Sequence, residues 1–173
     1  MTASLKTYLA RLSRILGVNE ATLYERQRAL VREGLLESRP GQGRGSGVRA
    51  TPDALAMLLL SFMSSISLTD AAPLTASSAK AKAVRGTCPL TGAPNLREAM
   101  RKILATPDLL DQVDSFRVTG LRATAEIKYG ENEVSVFEGR PPEKEGTQFS
   151  VILKLNELRG FERLVTEMFA STD

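Results

Sequence analysis

Leucines recur at helical spacing from the N-terminus, at Leu5, Leu9, Leu12 and Leu16 and again at Leu23 and Leu30. This pattern predicts two amphipathic helices within residues 1–36. Between them stands Gly17, a residue type free to take the left-handed conformation of a tight turn. Val18 is placed to plug the angle between the helices and Asn19 to cap the second, which is expected to run to about Glu33 before Gly34 stops it. Residues 37–51 are basic and Gly-rich; there Leu36–Arg39 and Val48–Thr51 are expected to pair as short strands around a tip from Pro40 to Gly47. Thr51-Pro52-Asp53 then opens a strongly apolar helix running to about Ser64–Leu68. Thr51 can cap it, Pro52 suits its first position and Asp53 suits the positive end of its dipole.

From Thr69 to Pro94 no periodic apolar face survives, and the Ala, Ser, Thr, Lys, Pro and Gly of this stretch read as an inter-domain linker. Asn95 is a good cap for a helix over Leu96 to Ala105, and Thr106-Pro107-Asp108 starts a short one reaching about Val113. Strict alternation through Leu121, Ala123, Ala125, Ile127 and Tyr129 predicts one strand from Arg117 to Tyr129, bent at Gly120. Gly130-Glu131-Asn132 turns into a second strand, Glu133–Glu138, and Thr147–Leu155 forms a third. Asn156 caps a closing helix. The expectation is an α+β domain with a three-stranded antiparallel sheet in the order ααβββα.

Composition narrows the chemistry. The 173 residues include one cysteine, Cys88, and no histidine, so an internal disulfide, Cys/His zinc sites and His-dependent catalysis are all excluded. Without a histidine to activate it, Cys88 reads as a structural thiol. Glu126, Glu131, Glu133 and Glu138 gather about a hairpin and alternate with apolar residues, the pattern of a solvated sheet face and not of an active site. Neither an enzyme nor a cofactor is expected. No stretch resembles a signal peptide or a membrane span, so the chain reads as cytoplasmic. The net charge of +3 is unevenly spread: residues 1–50 carry nine Lys/Arg against four Glu, and residues 91–173 eleven bases against fourteen acids. Only the first part is suited to face a polyanion.

Two short helices set at a steep angle by a Gly-containing turn make a helix-turn-helix, whose second helix enters the major groove of DNA. The stretch resembles the winged helix-turn-helix superfamily of bacterial transcription regulators. Its motif is matched by Leu12-Ser13, Leu16-Gly17-Val18-Asn19 and Thr22-Leu23, then Leu30 and Gly34-Leu35-Leu36. The resemblance covers about residues 5–52 and implies double-stranded DNA as the partner. The whole chain is thus expected to be a winged helix-turn-helix, mainly α with a β-hairpin wing, at 1–52. An apolar helix at 53–68, a linker at 69–93 and the α+β domain at 94–173 follow.

With Leu23 and Leu30 inward, the opposite face of the second helix carries Ala21, Glu25, Arg28 and Arg32, flanked by Thr22 and Tyr24. Arg28 is the candidate for a bidentate guanine contact and Glu25 for accepting from a cytosine amino group. Thr22, Tyr24 and the arginines are candidates for phosphates, and Asn19 lies at the entry of the helix. Arg26 and Gln27 fall between the two leucines; one stem is expected to cross the core with its polar end outside, and Arg26 is counted among the DNA contacts. In the wing, Arg39, Arg44 and Arg49 supply charge, with Gln42 and Ser46 beside Arg44 at the tip. The Gly tract there lacks the Gly-Lys-Ser/Thr ending of a phosphate-binding loop.

The apolar helix carries Leu55, Leu58, Leu59, Phe62 and Ile66 at helical spacing, with Met57, Leu60 and Met63 on other sides. A helix apolar all round must be buried all round, which points to a homodimer seam or to packing on the C-terminal domain. The leading expectation is a dimeric transcription regulator, of the kind found in phages and mobile elements, whose C-terminal domain contacts another transcription protein. The alternatives are a plasmid or phage replication or partition protein, and an adaptor whose winged helix no longer binds DNA.

Overall fold

The computed structural model describes residues 3–41, 47–143 and 148–169. Helix α1 (Lys6–Leu16) ends at Gly17, whose φ of 67° is left-handed and whose N–H bonds to Ser13 O. Asn19 is extended, and its Oδ1 accepts from Ala21 N at 2.8 Å to start α2 (Glu20–Arg32). Gly34, with φ 69°, carries the chain out of α2. The strand pairing that follows is shorter than the sequence suggests. Arg39 and Gly47 exchange both backbone hydrogen bonds, at 3.1 and 2.9 Å. On the other side, Leu5 N donates to Val48 O and Ala50 N to Ala3 O, so the N-terminal residues supply a third short segment.

Helix α3 (Pro52–Ser64) is capped by Thr51, whose Oγ1 accepts from Ala54 N at 3.1 Å. The supposed linker is ordered. Ser67 caps α4 (Leu68–Ala79), and Lys82–Ala83 forms a short strand, β1. Small side chains explain α4: Ala71, Ala72, Thr75, Ser78 and Ala79 are buried, and they let this helix lie close against α3. Asn95 caps α5 (Leu96–Ala105) by accepting from Glu98 N at 2.9 Å, and the short α6 (Pro107–Leu110) follows.

The remaining strands are β2 (Val113–Thr119), β3 (Thr124–Tyr129), β4 (Glu133–Glu138) and β5 (Ser150–Lys154). All pairs are antiparallel, in the order β1-β4-β3-β2-β5. The expected three-stranded sheet and the order ααβββα are therefore both incorrect; the described residues hold seven α-helices and a five-stranded sheet. One added strand is β1, hidden in the supposed linker. The other arises because the stretch read as one strand folds back between Gly120 and Ala123, where Ala123 takes φ 50°. Thr119 and Thr124 then face each other across a hairpin.

Phe116, Val118, Ile127 and Phe137 occupy the buried face of the sheet, and Arg117, Lys128, Val136 and Ile152 the exposed one. Helix α3 packs on β2 and β5 and is flanked by α2, α4 and α5, so one cluster of buried side chains runs from Leu5 to Met168. Within this interior Cys88 Sγ donates to Ser135 Oγ at 3.3 Å.

Helix α7 (Phe161–Phe169) returns the chain to α1, where Arg11 and Arg163 both donate to Glu167. The Arg11 hydrogen bond, then that of Arg163, holds the Glu167 carboxyl below the ordinary glutamate range. A carboxyl with a lowered folded-state pKa stabilises the fold above its unfolded pKa, and this contribution is lost as pH falls through the folded value. The urea midpoint of the wild-type chain should therefore fall more steeply below about pH 5 than that of Glu167→Gln. Parallel curves for the two proteins would mean that the contact carries no stability.

Candidate nucleic-acid interface

Helix α2 turns Ala21, Glu25, Arg28 and Arg32 to solvent, with Thr22 and Tyr24 half-buried at the margins. Leu23, Ala29 and Leu30 lie inside. The outward face is thus the one expected from the leucine spacing. Arg28 Nη1 donates to Glu25 Oε1 at 3.0 Å, one helical turn away on an open surface. Such an exposed pair adds little stability, but it holds the guanidinium over the outer face of the helix. Lys6, at the start of α1, places its Nζ 5.1 Å from the centroid of the Tyr24 ring.

A groove of about 690 Å³ separates α2 from the strand pair. Lys6, Arg28, Arg32 and Arg39 line it, against the single carboxylate of Glu25. Arg39 also lines the next groove along the surface, and Arg49 lies there and not in the first. Arg32, Arg39 and Arg49 are exposed and have no carboxylate partner among the described residues. Asn19 is exposed, but its carboxamide oxygen is committed to the cap. Gln42, Arg44 and Ser46 lie outside the described residues. Lys6, Ser4 and Ser38 join the groove without having been singled out by sequence; no signal in the helical pattern connects the N-terminal residues with the outward face of α2.

Arg26 is not part of this surface. It is 4% exposed, and its guanidinium is inside, donating to Ser61 O at 2.5 Å, Ser65 Oγ at 2.9 Å, Ser65 O at 2.8 Å and Ile66 O at 3.2 Å. Helix α3 has no basic residue of its own in its last turn, and the last carbonyls of a helix lack intrahelical partners. Arg26 supplies both the donors and the positive charge that this end needs. Burial lowers its pKa. Gln27 is buried as well, lining the floor of the groove with its Oε1 unpartnered among the described residues.

The proposed dimer seam is likewise corrected. Leu55, Leu58 and Leu59 are fully buried within one chain and Phe62 is half-buried; only Ile66, beyond the end of α3, is largely exposed. Helix α3 is apolar on every side because α2, α4, α5 and the sheet surround it, which leaves those leucines unavailable to a second chain. No single helix among the described residues is long and apolar enough to cross a membrane.

A helix presenting a guanidinium fork, beside a strand pair carrying further arginines, can engage a polyanion along its backbone and a planar acceptor pair at one point. Among the described residues no group of three His, Cys, Asp or Glu could hold a metal ion. No family model, curated protein or solved structure matches this chain.

Proposed function

We propose that this chain is a sequence-specific transcription regulator that binds double-stranded DNA in the cytoplasm. In this reading it carries a winged helix-turn-helix at its N-terminus. Helix α2 enters the major groove and the Arg39–Gly47 strand pair lies on the neighbouring phosphates. The observation that supports it most is the shared groove: Arg28 and Arg32 of α2 and Arg39 of the strand pair line one depression, with one carboxylate among them. Arg28 is assigned to base reading because its fork stands over the outer face of α2. Arg39 and Arg49 are assigned to phosphate because they flank that face.

Selection of bound duplexes from a random pool tests this directly. Arg28→Ala should relax preference at one base position and weaken the selected site by roughly 1–3 kcal/mol. Arg39→Ala should weaken all duplexes alike and reduce the slope of log affinity against log salt by about 1. No measurable binding of any duplex at low salt would refute the reading.

A further inference from the structure

A second groove, of about 720 Å³, is lined by Leu35 and by residues of α4, β1 and the start of α5. Its apolar lining is Leu35, Met57, Ala76, Ala79, Ala83 and Pro94. Its polar lining is Lys80, Lys82, Asn95 and Arg97, with no acidic side chain among the lining residues. Lys80 and Lys82 are exposed and have no carboxylate partner among the described residues. Arg97 binds Asp53 through Nε at 2.8 Å and Nη2 at 2.7 Å, which leaves Nη1 without a hydrogen-bond partner among the described residues. Arg97 and Asn95 also stand at the N-terminus of the ten-residue α5, the positive end of its dipole.

We infer that this groove binds a small organic anion with an apolar body, a carboxylate of medium chain or flat aromatic type. The apolar floor takes the body of such a ligand, as in most small-molecule sites, and the Lys80, Lys82 and Arg97 rim takes its carboxylate. A neutral molecule of the same shape would make no charge-assisted hydrogen bond with the rim, and a cation would be repelled by it. Leu35 and Arg97 also line the adjoining groove that holds Arg39 and Arg49. The ligand therefore rests against the segment leading from α2 into the strand pair. Its binding is independent of whether α2 reads DNA.

Calorimetric titration of the full chain tests the inference, with octanoate and naphthalene-2-carboxylate as probes and 1-octanol as the neutral counterpart of the first. At least one carboxylate should bind saturably at one site, and octanol should bind more weakly than octanoate. Lys80→Gln/Lys82→Gln should weaken the bound carboxylate about tenfold or more, the scale of a lost hydrogen bond to a charged group. Both lysines are exposed, so this variant should keep the wild-type urea midpoint. Ala76→Phe, which fills the groove from α4, should abolish binding. The inference is overturned if neither carboxylate binds up to millimolar concentration. It is also overturned if the carboxylate that binds is unaffected by the lysine substitutions.

Discussion

Arg26→Ala is expected to lower the free energy of unfolding by about 3–5 kcal/mol, the range for removing one side of a buried charged interaction. The substitution removes four hydrogen bonds, to Ser61 O, Ser65 Oγ, Ser65 O and Ile66 O. It also leaves those carbonyls at the end of α3 short of donors in a place that water enters poorly. Arg26→Met separates the charge from the stem, since it keeps most of the packing volume and loses only the guanidinium. It should retain most of the effect, about 2–4 kcal/mol, because the orphaned carbonyls and not the methylenes carry the larger penalty. Urea unfolding at neutral pH reads both values. The same proteins decide between the buried role and a DNA contact. Measured where both are folded, Arg26→Met should bind duplex with the wild-type salt slope. A slope reduced by about one, with unchanged stability, would return Arg26 to the phosphates.

That Arg26 was expected on the DNA side shows how far amphipathic reading extends. By angle Arg26 falls on the same side of the helix as Leu23 and Leu30, and its polar end is expected outside only because unpaired charge is costly to bury. The acceptors that make burial of Arg26 favourable lie 35 to 40 residues later, at the end of another helix. Nothing local announces them. Features whose causes are local were legible: the left-handed Gly17, the Asn19, Thr51 and Asn95 caps, and the outward face of α2. Helix α4 was not, because its Ala/Ser/Thr composition and internal Pro73 read as a break, and its stability comes from close packing on α3. The β2–β3 hairpin was concealed because the odd-numbered alternation of β3 (Ala125, Ile127, Tyr129) continues back through Leu121 and Ala123 of the turn. The buried positions of β2, Phe116 and Val118, are even-numbered, and that change of parity at Gly120 reads as a bend within one strand. The same limit applies to the apolar helix: periodicity established that α3 must be covered, but only topology showed that its own chain does the covering.

Gly120→Ala should be among the most damaging single-methyl additions in the protein. A Cβ at Gly120 would lie 1.9 Å from Ser64 O and 2.9 Å from Ser64 C, both backbone atoms at the end of α3, and 3.2 Å from Phe149 Cζ. No side-chain rotation relieves a clash with backbone, so α3 or the β2–β3 turn must move. Overpacking of this kind destabilises by up to about 3 kcal/mol or more. Gly86→Ala provides the comparison. Its φ of 85° imposes strain, but no atom lies within 4 Å of the added methyl, so it should lose only about 1–2 kcal/mol. The clash at Gly120 falls on the same last turn of α3 that Arg26 binds, through Ser61 O on one side and Ser64 O on the other. Releasing the Arg26 contacts should let that turn shift away from the new methyl. Gly120→Ala/Arg26→Met should therefore be less destabilised than the sum of the two single variants, with a coupling on the order of 1 kcal/mol or more. If the two effects add to within about 0.5 kcal/mol, the end of α3 is held independently by α2 and by the sheet, and is not a common joint between them.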